Sequence, residues 1–468
     1  MTSDNSRRAF LKRAGALSMA GAAGPLALNL AAFGQAAAAT ANDYKALVCV
    51  FLYGGNDYAN TLVPCDSLNH QRYFDQRPAI ATPLADLAGT VLNPLEPLPE
   101  GRQYALAPQL LPLLQPFQDG KLAVMLNIGT LIEPTSKQQY SEGTVKLPPK
   151  LFSHNDQQSF YQSSGPEGNT TGWGGRMGDL FDQNNGNATF TCISVGSSGV
   201  FASGASTVAY QVSPAGAVPI NAIKQPLFGS VACQQAMRAL VTAPSTQLFE
   251  AEHTRIVQRS IDAEALLTPA LEQAPPSSLF PAGNPLAAQL SMVARIISKQ
   301  AQLLAGGQAG PKRQVFFVTL GGFDLHSGLK DDHPVLLDTV GQAMAAFHAE
   351  TQQQGVDRQV TLFTASDFGR TLNADGDGSD HGWGSMHFVL GGAVNGGRFY
   401  GEAPVPADNG PNDVGRGRLL PRIAVDQFAA KLATWFGVLP GDIGTVLPNL
   451  KNFALDRLPL DFMQSPTA

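Results

Sequence analysis

Six short apolar runs punctuate the chain, at 45–53, 121–128, 188–195, 314–320, 359–364 and 387–392. Each is strand-length and bounded by Gly, Pro, Asn or Asp, which predicts β-strands. Between them lie longer stretches with helical spacing, at 105–118, 154–163, 246–268, 286–305, 334–353 and 425–437. This alternation predicts an α/β fold: a doubly wound, mostly parallel sheet covered by helices on both faces. Crossovers of a single hand then gather the carboxyl ends of the parallel strands at one edge, which is where such sheets bind ligands.

Four of the apolar runs adjoin a polar tip that fits that edge. KALVCVFLYGGNDYAN (45–60) ends in Gly54-Gly55-Asn56-Asp57, and RQVFFVTLGGFDLHSG (313–328) ends in a second Gly-Gly followed by Asp324 and His326. RQVTLFTASDFGRT (358–371) supplies Asp367 and Arg370, while in GSDHGWGSMHFVLGG (378–392) the tip, with Asp380 and His381, precedes the strand that His387 opens as either a ligand or a rim histidine. Paired glycines allow close approach of backbone to a ligand, and Asp324 and His326, two residues apart on an extended tip, point to the same side. The tips predict a metal or acid site. Asp57 is equally an Asx turn or helix N-cap, and Arg370 is either a partner of Asp367 or a binder of an anionic group. The acidic loop 373–378 lacks the twelve-residue calcium-loop pattern and reads as a solvated turn.

Ser153 begins a different motif. Ser153-His154-Asn155-Asp156 has the Ser-x-x-Asp form of a capping box opening the helix at 154–163. A hydroxyl at a helix N-terminus also meets a field that favours anions, and a nearby cation would activate it as a nucleophile with His154 assisting.

Composition narrows the function classes. A net charge of −6 gives no basic footprint, so nucleic acid is not expected as a partner. The four cysteines, Cys49, Cys65, Cys192 and Cys233, lack CxxC spacing, and Cys49 reads as a buried small hydrophobe within a strand. There is no GxGxxG and no cysteine cluster to support a redox cofactor. At the N-terminus, Ser6-Arg7-Arg8-Ala9-Phe10-Leu11-Lys12 and the Ala/Gly-rich run behind it predict a twin-arginine signal peptide over 1–39, with Ala37-Ala38-Ala39 as the cleavage site. The expected partner there is the twin-arginine export machinery, and the expected address is periplasmic or extracellular, with no permanent membrane anchor. The remainder, 40–468, reads as one α/β domain with Gly/Pro-rich insertions near 196–245 and 401–422 walling the site; 269–285 reads as a Pro-rich connector.

Taken in order, the twin-arginine start, GGNDYAN, LFSHNDQQ, GWGGRMGDL, GGFDLHSG, SDFGRT, GSDHGWG and VLGGAVNGG resemble an uncharacterised bacterial family, domain of unknown function fifteen hundred and one. That family is in turn similar to the alkaline phosphatase and sulfatase superfamily, which implies an alkaline phosphatase-like fold with one or two divalent ions at the carboxyl edge of the sheet. The resemblance implies that Asp57 is the first acidic ligand and Ser153 the nucleophile. It also implies that Asp324 and His326 bind one metal, Asp367 the other, and that His381 is the late histidine. An alternative alignment makes Asp380-His381 the Asp-His pair with His387 as the late ligand. The chain departs from the superfamily in having Asp367-Phe368 instead of Asp-His. It also lacks the Cys/Ser-x-Pro-x-Arg segment of formylglycine sulfatases, Ser164-Gly165-Pro166-Glu167-Gly168 having no arginine.

These readings predict a metal-dependent hydrolase of a phosphate or sulfate ester, on a small molecule or a glycan. Zinc, manganese, magnesium or calcium would polarise the ester and activate Ser153 or a water, and Arg370 or the backbone amides at 153–156 would stabilise the charged transition state. The rival is a catalytically degenerate periplasmic binding or assembly protein of the same fold.

Overall fold

The computed structural model describes residues 43–304, 309–454 and 460–464. The predicted signal segment and its cleavage site lie outside the described residues. Strands β1 (Lys45–Leu52), β2 (Leu122–Gly129), β3 (Cys192–Val195), β4 (Tyr210–Ser213), β5 (Gly216–Ala217), β6 (Arg313–Leu320) and β7 (Val360–Ser366) are followed by a hairpin of β8 (Arg370–Asp375) and β9 (Gly378–His381). Then come β10 (Ser385–Gly391), β11 (Arg398–Tyr400) and β12 (Ile423–Ala424). All but β8 and β9 join one ten-stranded sheet of order β11-β2-β10-β7-β1-β6-β3-β4-β5, with β12 also pairing with β2.

The sheet is mostly parallel. At its centre β1 lies parallel to β6 and β7, Leu47 facing Val315 on one side and Thr361 on the other. Only β10, antiparallel to both β2 and β7, and the short β5 run the other way. Because β10 is reversed, its leading end sits at the edge where β1, β6 and β7 finish. That reversal explains why its polar tip comes before the strand.

Helices cover both faces, as the burial of β1 shows. Ala46, Val48, Val50 and Leu52 enter one apolar cluster, and Leu47, Cys49 and Phe51 enter another. Six helices bear on the core and the site: α1 (His154–Ser163), α2 (Trp173–Phe181), α3 (Leu248–Glu272), α4 (Pro285–Ser298), α5 (Leu329–Gln353) and α6 (Val425–Phe436). The first cluster is closed by Leu286, Leu290, Val293 and Ile297 of α4 and by Leu337, Val340, Met344 and Phe347 of α5, both sets at i, i+3/i+4 spacing. The second is closed by Trp173 and Met177 of α2 and by Phe428, Leu432 and Phe436 of α6. Fully burying each such side chain contributes about 1.5–3 kcal/mol, so the edge loops stand on a rigid support.

Several elements differ from the sequence expectation. The segment 105–118 is not one helix, because Pro108, Pro112 and Pro116 interrupt it. It forms a short strand Tyr104–Leu106, a 3-10 stretch Pro108–Leu113 and a single helical turn Leu114–Gln118. The run at 188–195 is strand only from Cys192, after a 3-10 turn at Ala188–Phe190. Helix α3 continues through Pro269 to Glu272, so the connector is shorter than 269–285. The insertion at 196–245 contributes β4 and β5 to the sheet and two helices, Asn221–Lys224 and Val231–Val241, whereas 401–422 holds neither strand nor helix. All four cysteines are free thiols, with Cys49 and Cys192 buried. No helix among the described residues is long and apolar enough to cross a membrane.

Candidate metal centre

Four loops meet at the edge defined above, and two glycines let them close in. Gly54, at φ +114°, faces the 323–324 backbone so closely that a Cβ would fall 2.4 Å from the Asp324 nitrogen. A Cβ on Gly378 would fall 2.2 Å from the His326 carbonyl carbon. Side chains there would push the tip after β6 away from its neighbours.

Three imidazoles and one carboxylate converge in this space. His154, the first residue of α1, has its Nε2 3.0 Å from His381 Nε2 and 3.3 Å from Asp324 Oδ2. His326 Nε2 lies 2.9 Å from His381 Nε2 and 3.0 Å from Asp324 Oδ1, which is also 3.2 Å from His381 Nε2. The opposite nitrogens of two rings are committed elsewhere. His154 Nδ1 donates to Asp367 Oδ2 at 2.6 Å, and His381 Nδ1 donates to the Phe152 carbonyl at 2.7 Å. With Nδ1 protonated in both, each ring when neutral presents a lone pair on Nε2, and in that state the two lone pairs face one another. Acceptor against acceptor at 3.0 Å is repulsive unless a proton or a cation lies between them. Ligand atoms about 2.0–2.1 Å from a tetrahedral zinc are roughly 3.3 Å apart, close to the spacings observed. A histidine tied through its far nitrogen to a carboxylate or carbonyl is also the usual support of a metal ligand. Two overlapping triads, His154 with Asp324 and His381, and His326 with Asp380 and His381, each bring their ligand atoms within 4.8 Å of one another, so the residues present fit a divalent ion.

Electrostatics separates the groups. Burial works to raise the Asp324 carboxyl, but the Arg370 hydrogen bond and the neighbouring imidazoles outweigh it and hold it down to about 2. The Asp367 hydrogen bond outweighs burial at His154 and raises that imidazole, whereas burial lowers His381. The ring of Phe368 floors the site, 4.9 Å from His154 and 5.0 Å from His381 between centroids. Asp324 and His326 remain 46% and 47% exposed, which leaves the centre open to a small molecule.

The other expected site residues occupy different roles. Asp367 touches the centre only through His154; its Oδ2 also accepts from Gly54 N–H at 3.1 Å and Gln158 Nε2 at 2.9 Å, and its buried Oδ1 has no hydrogen-bond partner among the described residues. Arg370 is fully buried, donating to Asp324 Oδ1 at 2.7 Å, to the Gly54 carbonyl at 3.1 Å, and to Ser379. It positions Asp324 and is not free to meet a substrate anion. Asp380 lies within ligand reach of His326 and His381, yet its Oδ2 pairs with Arg416 at 3.1 Å and Arg418 at 2.9 Å, and its Oδ1 accepts the His381 N–H at 2.8 Å.

Three expectations need correction. Asp57 is not at the cluster: it caps the turn at Tyr58–Thr61 through Asn60 N–H and forms a buried two-point ion pair with Arg77, at 2.6 and 2.9 Å. Burial opposes its ionisation, but Arg77 outweighs this and holds it well below the usual carboxylate range. His387 is inside the core, not at the rim, because it lies within β10 with its ring edge-on to Tyr161 at 5.7 Å. Burial depresses it to about 3, and its Nε2 has no partner among the described residues. Ser153 occupies the N-cap of α1, but its hydroxyl donates to the Asp156 carboxylate at 2.9 Å instead of capping the backbone, so no capping box forms.

Sequence reasoning did not single out Arg77, Gln158, Phe152, Ser379 or Arg418, all of which contact the site or its supports. Ser379 joins the two networks by donating to Asp57 Oδ2 at 2.8 Å while accepting from Arg370 Nε at 3.2 Å. Phe152 and Gln158 lie within LFSHNDQQ and Ser379 within GSDHGWG, but nothing in those motifs marks them individually, and Arg77 and Arg418 lie in none of the quoted motifs.

A family model described as "Protein of unknown function (DUF1501)" matches residues 44–414, most of the chain. The chain belongs to the DUF1501 family. No curated protein matches it. Among solved structures, this DUF1501 protein is similar to the lipoteichoic acid synthase LtaP from Listeria monocytogenes, at 10% identity and a TM-score of 0.30, over 86% of this chain and 76% of that one. It is also similar to Ps i-CgsB, solved in complex with k-i-k-neocarrahexaose, at 10% identity and a TM-score of 0.33, over 88% of this chain and 77% of that one. Likeness of that degree carries no conclusion about the chemistry of the DUF1501 chain.

Proposed function

We propose that His154, His326, His381 and Asp324 hold one divalent ion and that the protein is a metal-dependent hydrolase of a phosphate or sulfate ester. The observation that carries this reading is the convergence of the Nε2 atoms of His154, His381 and His326 and the Asp324 carboxylate at 2.9–3.3 Å, with two of the rings tied through their far nitrogens. Three imidazoles with one carboxylate suit zinc or manganese better than magnesium or calcium, which prefer all-oxygen sites. The ester class rests on the sequence motifs that resemble the alkaline phosphatase and sulfatase superfamily.

The ion would supply Lewis-acid polarisation of an ester oxygen and activation of water. The chain's own residues prepare the site for it. Arg370 holds Asp324 ionised and aimed, Asp367 fixes the His154 tautomer, the Phe152 carbonyl fixes that of His381, and the Phe368 ring packs against both imidazoles. Ser153 is engaged with Asp156, so in this reading water is the nucleophile. Its oxygen joins phosphorus or sulfur, the ester oxygen departs with a proton, and the alcohol is released. The twin-arginine-like start, in the same reading, delivers the protein to the periplasm or the cell exterior.

The test is metal content by mass spectrometry on the purified protein together with turnover of an aryl phosphate, a phosphodiester and a sulfate ester. One equivalent of metal and a chelator-sensitive turnover of one of these classes are expected. Protein that retains no metal overturns the centre. A metal-loaded protein inert toward all three classes supports the second reading, a binding or assembly protein with a structural ion. The occupied state of Arg370 and Ser153 favours that alternative.

A further inference from the structure

His381 is held at three points, by Phe152, Arg418 and Asp380. Its Nδ1 donates to the carbonyl of Phe152, a non-glycine residue held at φ +71°, a conformation that bulky residues rarely adopt and that is found where surroundings enforce it. Its backbone carbonyl accepts from Arg418 Nε at 2.8 Å, and its N–H donates to Asp380, which Arg418 Nη2 holds at 2.9 Å. The guanidinium of Arg418 also lies over the Phe152 ring, 4.7 Å from its centroid. One arginine therefore fixes both the main chain of His381 and the residue that orients its ring.

Arg418 is itself the end of a tightly organised loop. The Asp413 carboxylate accepts the N–H groups of Asn409 at 2.8 Å, Gly415 at 2.7 Å and Gly417 at 2.9 Å. Val414 N–H bonds to the Arg418 carbonyl and Leu420 N–H to the Asn412 carbonyl. A segment with neither helix nor strand is thus folded around one aspartate and delivers one arginine to the site.

We propose that Arg418 and Phe152 are positioning residues for His381 and that they couple the 409–420 loop to the ion. Filling the centre tightens the loop, and loosening the loop weakens the centre, since any such coupling is reciprocal. The inference rests on the reading of the cluster as a metal centre, but it fails separately from that reading.

The test measures zinc affinity by competition with a chelator of known strength, alongside backbone hydrogen exchange of 409–420 with and without zinc. In wild type, zinc is expected to slow exchange in the loop. Arg418→Met is expected to bind zinc about 10–100-fold more weakly, the usual consequence of losing an outer support of a metal ligand, and to lose the zinc-dependent protection. Arg418→Lys, which keeps the charge but not the fork, should fall between. Arg422→Met, whose side chain meets Glu402 at 3.8 Å, serves as the control and should bind as wild type. If Arg418→Met fails to fold by circular dichroism, Phe152→Gly gives the same readout, because glycine accepts φ +71° while removing the ring beneath the guanidinium. Wild-type zinc affinity in the Arg418 variant, or loop exchange indifferent to zinc, overturns the coupling and leaves the centre standing. A wild type that binds no zinc overturns both.

Discussion

Two carboxylates stand at the same sheet edge, after neighbouring parallel strands, each following a Gly-Gly step, and they do opposite work. Asp57 is surrounded by donors: Arg77 at two points, Asn60 N–H and Ser379 Oγ. Asp324 meets one guanidinium, that of Arg370, and otherwise faces the Nε2 atoms of three imidazoles. A carboxylate whose lone pairs are all answered by protein hydrogens is complete, and it holds the fold. One set among imidazoles and half open to solvent keeps lone pairs free for a cation, a proton or water.

The largest effect that separates these two regions is metal retention. The double variant His154→Ala, His381→Ala should lose bound metal entirely, and with it any ester turnover, while its thermal midpoint without metal stays near that of metal-free wild type. Retention of a full equivalent by that variant would show that the ion, if any, lies elsewhere. Arg77→Ala should do the reverse. Stranding buried Asp57 without its partner should cost about 3–5 kcal/mol in denaturant unfolding, with the folded fraction still binding metal. An Arg77 variant of wild-type stability would mean that Asp57 is not a completed structural pair.

A third measurement uses His387, which the structure moves from the rim to the core. Its folded pKa is depressed to about 3, against an unfolded value near 6.5, so below that value the unfolded chain takes up a proton that the folded chain refuses. Stability contributed by this group is therefore fully present above about pH 6.5 and drains away as pH falls toward about 3. His387→Phe should flatten the acid limb of the stability profile by a few kcal/mol and leave metal content unchanged. If it strips the metal, His387 belongs to the centre after all. The smallest effect is assigned to Ser153→Ala. Losing a half-buried hydroxyl bonded to Asp156 should cost no more than about 1 kcal/mol and change turnover less than about threefold. A total loss of turnover with intact metal would make Ser153 the nucleophile, and its hydroxyl would then have to swing away from Asp156.

Much of this arrangement was legible in the chain because it is local. Apolar runs that stop in Gly-Gly and Asp reveal strand ends, and the central strands, β1, β6 and β7, lie within two residues of where periodicity places them. Asp324, His326 and His381 were recognisable as candidate ligands for the same reason. What could not be read was pairing at a distance. Arg77 lies in an unremarkable segment, and only tertiary structure shows that it completes Asp57. His154 looked like an assistant to Ser153, yet the first turn of α1 turns its ring, and not the neighbouring hydroxyl, toward the cluster. Phe152 carries its contribution in a backbone angle and a carbonyl, which side-chain chemistry does not announce. The helix expected over 105–118 failed on evidence present in the sequence, since three prolines outweigh its apolar spacing.

The reversed direction of β10 has one more consequence, for the order in which the centre comes together. From β7 through the β8–β9 hairpin to β10 the chain runs as a meander, so Asp367, Arg370 and His381 are brought together by short loops at small entropic cost. His154 arrives from more than two hundred residues away, and the tip bearing Asp324 and His326 must dock from the far side of β1. One ligand, His381, and the supports Asp367 and Arg370 are assembled by a low-contact-order unit, and the other three ligands arrive only with condensation of the whole sheet. Tight ion binding would then report completed folding more faithfully than the presence of secondary structure does.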